Sequence, residues 1–370
     1  MHQENLMLRF RMDWKKYATA WRSKGKILIG VVIIVIGATY FFYNLTQKTI
    51  VNLQAENFHA KMLINYEYTR RVLSDVYVSV TSNVFYLEQT LDNTEGQQEV
   101  MARIVKQGTR VHSCGMNFVR DYYYPEKGHR YCPFAWRNRE NHEEILTEEK
   151  GDADFDYLEA NWFTSVIDAD TAMWSEPFAD GYDNVTQLAA YMVPIHNQER
   201  KPVAVLGADI SLDWLTNKLL ETDSAYNALN PFATNVLGLR SRSFIVNHDG
   251  SFITHPEGEL RLEGLIFNHL KPIGDYKMST LIDHIEKDIM SEQESQQKIL
   301  FDGTECYLFY TPVKYTRWMM VSVVPCKSID MPGIYYGLKI LGIFIVAMLL
   351  IALLCYHYII VYGKKYWKKE

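Results

Sequence analysis

The sequence predicts an α+β fold with two tandem modules on a long N-terminal stalk helix, flanked by two transmembrane helices. Three observations lead to this prediction. Two uncharged apolar runs lie near the ends of the 370-residue chain, and a stretch without glycine or proline follows the first of them. Between the runs, a pattern of helices followed by antiparallel strands occurs twice.

The apolar runs are Ile27–Thr46 and Ile340–Tyr362. Each supplies the ~20 residues that a helix needs to cross ~30 Å of hydrocarbon. A buried helix of a soluble protein is the alternative for either run, but both lack charges and both end in Lys or Arg. A cleaved signal peptide is the alternative for the first run, and its length and the lack of an A-x-A site favour an uncleaved anchor. We therefore predict transmembrane helices at residues 27–47 and 336–362.

The distribution of charge predicts the orientation of these helices. Residues 1–26 contain seven basic and two acidic side chains, and residues 363–370 contain four lysines and one glutamate. The remainder is strongly acidic, because the net charge of the whole chain is −6. By the positive-inside rule, both tails are cytoplasmic and residues 48–339 are extracytoplasmic. The acidic balance argues against a nucleic-acid partner.

The segment after the first membrane helix is predicted to be a stalk. No glycine or proline occurs from Ala38 to Glu95, and apolar residues recur at helical spacing. Residues 48–94 are therefore expected to continue the membrane helix as one stiff element, which suits a mechanical relay.

Residues 95–225 are predicted to form a membrane-distal module. A second helix over Gly96–Thr109 precedes strands in the segments VHSCGMNFV and RYCPFAWR. The polar, acidic residues 138–156 are expected to form a loop, in which Glu148 and Glu149 are solvated.

The second half of this module begins with a predicted helix over Asp156–Asp170. Two β-rich runs, QLAAYMVPIH and KPVAVLGADIS, flank the polar turn Asn197–Arg200, which is typical of a hairpin. An amphipathic helix then starts after Ser211, a residue type that caps helix N-termini.

The pattern repeats on a smaller scale in residues 226–335, the predicted membrane-proximal module. The strands SFIVN and SFITH flank His248-Asp249-Gly250, and Asp-Gly is typical of a two-residue turn. A helical stretch, TLIDHIEKDIMSEQ, precedes the strands KILFDG, CYLFYTPV and RWMMVSVVP.

Four cysteines lie between the membrane helices: Cys114, Cys132, Cys306 and Cys326. An oxidising compartment permits disulfides, and the sequence-local pairings are Cys114 with Cys132 and Cys306 with Cys326. Four separate buried thiols are the alternative. No cysteine or histidine has the spacing of a zinc site.

Several segments resemble the double Cache (dCache) domain, the PAS-like extracytoplasmic sensor module of bacterial receptors. The distal segments are Asn161-Trp162-Phe163, the run Trp174–Asp180, Met192–Ile195 and Gly207–Leu212. The proximal segments are Ser243–Val246, Asp249-Gly250, Thr254–Pro256, Tyr310–Val313 and Trp318. The resemblance covers residues 48–335, and the run W-S-E-P-F-x-D with a later G-x-D is its most specific part.

The resemblance implies a small-molecule pocket in the distal module, whose occupancy moves the stalk and the transmembrane helices. Such domains occur in sporulation protein E-type phosphatases, histidine kinases and chemoreceptors, which implies a two-pass protein of the bacterial inner membrane. The candidate ligand-binding residues are Trp162, Phe163, Trp174, Phe178, Asp180, Tyr191 and Asp209. Aromatic faces with carboxylates suit a cationic amine. The alternative is that the aromatic residues are core residues and that Asp209 stabilises a turn.

This chain departs from the amino-acid-binding branch of the family at three positions. That branch has an arginine two residues before the motif tryptophan, where this chain has Ala160. It has tyrosines where this chain has Phe163 and Phe178. The polar groups that hold the ligand's carboxylate are missing, so the expected ligand is an amine without a carboxylate rather than an α-amino acid.

The sequence predicts a sensor rather than an enzyme. It has no nucleophile–base motif, no Gly-rich phosphate loop and no metal-binding spacing, and no cofactor is expected. The expected partners are a small molecule, the lipid bilayer and a second copy of the chain. No cytoplasmic effector is expected within these residues, so the output requires either a longer protein or a partner subunit. The rival functions are an envelope structural or assembly protein without a ligand, and an extracytoplasmic enzyme.

Overall fold

The computed structural model describes residues 2–138, 140–141, 143–152, 156–179, 186–229, 240–257, 264–273 and 278–367. They form two compact units. One contains the chain up to Asn57 together with the chain from Ser328, and the other contains Phe58–Lys327. Two antiparallel sheets with helices in tandem, a long N-terminal helix and two apolar helices confirm the predicted α+β fold.

The first unit consists of parts of two long helices, α1 (His2–Gln89) and a last helix, Cys326–Trp367. Both are long and apolar enough to cross a membrane. Phe42 and Phe344 stack between them with ring centroids 5.9 Å apart. A Cβ atom at Gly337 would lie only 2.8 Å from the Tyr43 ring. Glycine is therefore required where the two helices approach each other so closely. Small residues are common at such contacts between membrane helices.

The stalk helix ends before the predicted residue 94. α1 stops at Gln89, and α2 spans Thr94–Gln107. The break has a local cause, because Asn93 caps α2: its Oδ1 accepts a hydrogen bond from the Gly96 N–H at 3.0 Å.

The distal module contains one antiparallel sheet, with the order β3-β2-β1-β7-β6-β4 among the described residues and β5 also paired with β6. Its strands are β1 (Val111–Phe118), β2 (Cys132–Arg137), β3 (Ile145–Lys150), β4 (Met173–Trp174), β5 (Phe178–Ala179), β6 (Gln187–His196) and β7 (Pro202–Ser211). β6 and β7 form the predicted hairpin around Asn197–Arg200. Helix α3 (Asn161–Ala169) precedes β4, and α4 (Leu212–Leu229) follows β7.

Three sequence predictions in this module need comment. The expected loop over residues 138–156 is wrong, because β3 pairs there with β2 from Cys132↔Lys150 to Arg137↔Ile145. α3 begins at Asn161 rather than Asp156. The cap at Ser211 is confirmed, since its Oγ accepts a hydrogen bond from the Trp214 N–H at 3.3 Å.

The two faces of the distal sheet differ because successive side chains of a strand point to opposite sides. One face carries Cys114, Met116, Ala189 and Leu206, which pack with α1 and α2 in the main hydrophobic core. The other face carries Cys132, Ala190 and Met192 and packs in part against α3 through Phe163 and Val166, among others. Only the first face belongs to the main core.

The proximal module contains a second antiparallel sheet, with the described order β10-β11-β12-β13-β8-β9. Its strands are β8 (Arg242–Val246), β9 (Phe252–Thr254), β10 (Leu270–Lys271), β11 (Ser295–Phe301), β12 (Thr304–Pro312) and β13 (Met319–Pro325). Helix α5 (Met278–Met290) covers one face through Ile285 and Ile289, and α6 is the last helix, Cys326–Trp367. The opposite face contributes Ile245 and Met320 to the main core, so the two modules share that core.

The predicted disulfides are absent, and all four cysteines are buried thiols. Cys114 lies opposite Ala135 in the sheet, three residues from Cys132 on β2, so the two side chains point to opposite faces. Cys306 lies opposite Pro325 rather than Cys326. Burial raises the pKa of the Cys132 and Cys306 thiols to about 12.

Candidate functional site

A cavity of about 460 Å³ lies on the distal sheet, on the face away from the main core. Strand alternation explains which residues line it. The sheet contributes Ser113, Gly115, Asn117, Cys132, Phe134, Glu148, Lys150, Leu188, Ala190, Met192, Gly207 and Asp209. The remaining walls are Trp162 of α3, Ser175 and Phe178 of the W-S-E-P-F segment (Trp174–Phe178), and Ala179 directly after it.

The floor of the cavity contains two glycines that face each other across adjacent strands, Gly115 and Gly207. A Cβ atom at Gly115 would lie 2.9 Å from the Phe134 ring, so a larger residue would collide there. At Gly207 the nearest heavy atom to such a Cβ would be 3.8 Å away, in Met192. The missing side chains therefore create part of the space for a ligand.

One end of the cavity is acidic. Asp209 lies beside Ser113 across the β1–β7 pair, and the Ser113 hydroxyl donates a short hydrogen bond to Asp209 Oδ2. The hydroxyl fixes the orientation of the carboxylate, which places a charged acceptor in the wall of the cavity. A carboxylate in such a place favours a ligand cation.

The β3 edge adds a second pair of charges. Lys150 Nζ lies 3.8 Å from the centroid of the Phe134 ring, a cation–π contact, and 3.8 Å from Glu148 Oε1. The Lys150 side chain is 15% exposed, whereas that of Glu148 is 40% exposed. Glu148 is partly solvated, as expected, and its strand position also turns it towards the cavity.

Asn117 occupies the floor between these two ends and is 8% exposed. Its Oδ1 atom has no hydrogen-bond partner among the described residues. An unpaired buried polar atom costs about 1–3 kcal/mol. A polar residue in this state at a cavity wall is expected where a ligand or water supplies the missing bond.

Of the seven residues predicted from the sequence to bind the ligand, some line the cavity and others do not. Trp162, Phe178 and Asp209 line the cavity. Phe163 is buried below it, with its ring 5.1 Å from that of Tyr157. Trp174 and Tyr191 lie on the opposite face and contact each other at 5.5 Å. Asp180 lies outside the described residues.

The cavity residues on β1 and β3 were not predicted from the sequence. Ser113, Gly115 and Asn117 alternate with Cys114, Met116 and Phe118, and the same small or polar alternation recurs at Gly207 and Asp209. A strand buried on both sides has no reason to alternate in this way, so the alternation was an available signal of a hollow face. β3 offered a weaker signal because Glu148 and Lys150 are charged.

The W-S-E-P-F segment connects the cavity to the proximal module. Ser175 pairs with Ala190 on the cavity side, where the Ala190 N–H donates to Ser175 Oγ at 2.9 Å. On the other side, Asn247 Nδ2 donates to both carboxylate oxygens of Glu176, at 2.8 and 2.7 Å. The Trp174 ring also lies 5.3 Å from that of Trp318.

The described residues contain no group of three or more His, Cys, Asp or Glu side chains that could hold a metal ion. The arrangement is that of a binding cavity with charged groups at its margins. It can select a small molecule by shape and by charge.

Comparison with known proteins agrees with this geometry. Residues 98–217 match the family model of the first PDC sensor domain of methyl-accepting chemotaxis protein-like proteins. No curated protein matches the sequence.

Solved structures show the same fold at low sequence identity. The extracellular domain of soHK1S-Z6, described as a histidine kinase, is 16% identical with a TM-score of 0.57, over 77% of this chain and 98% of that chain. The periplasmic sensory domain of the Campylobacter jejuni chemoreceptor Tlp1 is 13% identical with a TM-score of 0.54, over 75% and 99%. The ligand-binding domain of Mlp24 with asparagine is 15% identical with a TM-score of 0.50, over 78% and 98%. The resemblance to double Cache sensor domains is thereby confirmed.

Proposed function

We propose that this chain, a double Cache sensor fold between two apolar helices, is a membrane-anchored extracytoplasmic sensor of a small molecule bound in the distal cavity. The observation that carries the proposal is the cavity itself. It lies within the segment that matches a receptor sensor family, it is separate from the main core, and it presents Asp209 and Asn117. The neighbour Mlp24, solved with asparagine, supports small-molecule binding in a domain of this fold.

The ligand is an amine. Asp209, held by Ser113, accepts from the ammonium group, and Trp162 and Phe178 provide aromatic faces for it. Asp180, which the sequence predicts as a second carboxylate for the same group, lies outside the described residues. Ala160 leaves no arginine to hold an α-carboxylate, which argues against an α-amino acid.

The signal passes from the distal module (95–225) through the stalk and the proximal module (226–335) to the transmembrane helices. Both basic tails are cytoplasmic and residues 48–339 face the periplasm of a bacterial inner membrane. The receiver is a cytoplasmic effector, and the chain itself is a sensor and not an enzyme.

A homodimer suits this relay, because the displacement of a helix is detected most easily relative to the same helix of the second chain. The exposed side of α1 supports it. Ile64, Val78 and Phe85 are 61%, 55% and 73% exposed and recur at multiples of seven residues, the spacing of a helix–helix contact.

The test is ligand binding by the full chain in lipid nanodiscs, with a panel of primary amines measured by calorimetry. Asp209→Asn keeps the size of the side chain and removes the charge. It should weaken amine binding about 10–100-fold, since hydrogen bonds to charged groups contribute about 1.5–3 kcal/mol. Glu199→Gln, in the exposed β6–β7 turn, is the matched control and should bind normally. Equal affinities of the wild type and Asp209→Asn would refute the proposed site.

A further inference from the structure

We propose that the proximal module contains a second input, a proton-binding site at His255 that responds to acidification outside the cell. The site is separate from the distal cavity, and only its exposure to the external pH rests on the proposed orientation. His255 belongs to the segment directly after β9 and is only 4% exposed. Histidine is the side chain whose ordinary pKa lies closest to neutral, so acidification by one or two pH units can charge it.

His255 lies in a cluster of aromatic side chains in the proximal core. Its imidazole stacks on Phe244 of β8 at 5.3 Å, with 6° between the ring planes, and lies 4.8 Å from Phe252 of β9. Phe252 and Phe301 each contact the ring of His269, at 5.8 and 5.7 Å. The three phenylalanines are at most 2% exposed. These surroundings offer an imidazolium cation far less solvation than water does.

The hydrogen bond at Nδ1 of His255 requires a neutral imidazole. The Glu257 N–H donates to this nitrogen at 3.1 Å, and only an unprotonated nitrogen can accept it. A proton on Nδ1 removes this bond, and the acceptor beside it is then the Glu257 carbonyl oxygen, at a longer 3.3 Å. Protonation therefore exchanges the partner of Nδ1 and places a charge in the aromatic cluster at the same time.

Three charged or titratable groups of the described residues act on His255. Burial lowers the pKa of His255 most, and the main chain and carboxylate of Glu257 oppose that shift. His269 and Arg242 lower the pKa further. His269 is itself held beside the cluster by Asp302, whose Oδ1 lies 2.9 Å from its Nδ1. Because the buried ring binds a proton less well than an exposed one, acid favours states in which His255 has left the cluster.

The strands β8 and β9 connect His255 to the distal cavity. Thr254, the residue before His255, accepts a hydrogen bond from the Ile245 N–H at 2.8 Å. Two residues further along β8, Asn247 donates to both carboxylate oxygens of Glu176 in the W-S-E-P-F segment. Other residues of that segment line the cavity. A proton at His255 is therefore expected to loosen β8 and β9 and, with them, the contact to the cavity wall.

The test is hydrogen exchange with mass spectrometry on the full chain in nanodiscs, without ligand, from pH 7.5 to 5.5. Rates are corrected for the intrinsic pH dependence of amide exchange. In the wild type, corrected exchange in β8 and β9 should rise about 3–10-fold between pH 6.5 and 5.5, since one proton shifts an opening equilibrium at most tenfold per pH unit. Residues 174–179 should show a smaller rise in the same interval.

Two variants remove the proton site. His255→Asn keeps an acceptor for the Glu257 N–H, because asparagine bonds the backbone two residues on, and His255→Phe keeps an aromatic ring in the cluster. Neither should show the acid-induced rise. His59→Gln removes an exposed histidine of α1 and should behave as the wild type. Melting curves at pH 7.5 verify that the variants are folded.

A second measurement on the wild type needs no variant. Exchange of the imidazole C2 hydrogen, followed in the same peptides, gives the titration of His255, and its midpoint should lie below 6.5, the ordinary pKa of histidine. A midpoint at or above that value, no acid-induced rise in the wild type, or a rise retained in a folded His255 variant would each refute the proton site. A rise in β8 and β9 that leaves residues 174–179 unchanged would refute the connection to the cavity. None of these results depends on the ligand proposed for the distal cavity.

Discussion

Lys61 of the stalk helix is a charged residue buried where α1, α4 and the proximal sheet meet. Its side chain is 5% exposed and forms an ion pair with Asp223 of α4. Nζ also donates to Ser243 Oγ at 2.9 Å and lies 5.0 Å from the centroid of the Phe58 ring. Burial lowers the pKa of Lys61, and the Asp223 carboxylate opposes that shift. The ion pair thus fixes the rotation of α1 about its axis relative to α4 and the proximal sheet.

Replacing Lys61 by methionine should destabilise the protein strongly, because Asp223 would become an uncompensated buried charge. Loss of one partner of a buried pair costs about 3–5 kcal/mol. We expect the melting temperature of the full chain in nanodiscs to fall by roughly 6–20 °C. Lys218→Met removes an exposed lysine paired with Glu221 and should cost at most about 1 kcal/mol. Similar melting temperatures for the two variants would contradict the assigned role of Lys61.

His196 links the tip of the stalk to the end of α3. Its Nδ1 lies 2.9 Å from Glu88 Oε1, and its Nε2 lies 2.6 Å from Asp170 Oδ1. Burial lowers the pKa of His196, but the hydrogen bonds and charges of the two carboxylates outweigh it, and the net pKa is raised. A protonated ring donates to both carboxylates at once, which a neutral ring cannot do.

The raised pKa predicts a pH dependence of stability with a definite sign. Protonated His196 stabilises the folded protein, and this stabilisation is complete below about 6.5, the pKa of the histidine in the unfolded chain. The stabilisation is lost as the pH rises through the higher pKa of His196 in the folded protein. The melting temperature should therefore decline over that interval, and His196→Gln should flatten the decline. Gln198→Ala, in the exposed β6–β7 turn, removes no titratable group and should leave the profile unchanged. If the melting temperature of His196→Gln declines with pH as steeply as that of the wild type, this assignment is excluded.

At the scale of elements, the W-S-E-P-F segment is the direct contact between the cavity wall and the proximal sheet. Residues of the segment face two ways: Ser175 and Phe178 face the cavity, and Trp174 and Glu176 face the proximal module. The contact of Glu176 with Asn247 therefore joins the cavity wall to the proximal sheet without involving the stalk.

A double-mutant cycle on Glu176→Ala and Asn247→Ala should reveal this contact. We expect a coupling energy of about 0.5–3 kcal/mol in stability, the range found for residues in direct contact. The cycle of Glu176→Ala with Glu199→Ala, a residue in the exposed turn, should be additive within about 0.5 kcal/mol. Additivity in both cycles would show that the two modules are not coupled through Glu176.

The sequence predicted the elements better than it predicted the cavity. The apolar runs, the hairpin at Asn197–Arg200 and the tandem modules depend on local patterns, which a sequence displays. β3 was missed because an edge strand that borders a cavity is polar and lacks an apolar signature. The motifs and the aromatic character that made Trp174 and Tyr191 candidates do not tell which face of the sheet is hollow, whereas strand register does.

At the scale of the whole molecule, the proposed sensor function depends on membrane topology. Two apolar helices bracket the sensor fold, and basic residues lie beyond each helix. A sensor domain between them has access to external ligands only if both ends of the chain lie on the cytoplasmic side.

This topology predicts the accessibility of tags in intact spheroplasts. Epitope tags at either end of the chain should resist added protease, whereas a tag inserted in the exposed turn Asn197–Arg200 should be cleaved. Permeabilised cells provide the control, in which all three tags should be lost. Cleavage of a terminal tag in intact spheroplasts would overturn the proposed orientation.

The division of the distal sheet into a packed face and a hollow face has an evolutionary consequence. Residues such as Asn117 and Gly207 contact the cavity, while their neighbours along the strands, Met116 and Ala208, hold the main core. Substitutions on the hollow face at positions such as Asn117 can therefore alter the shape and charge of the cavity and leave the main core intact. A lineage built on this sheet can diverge in specificity while its architecture is inherited unchanged, because selection acts on the two faces separately.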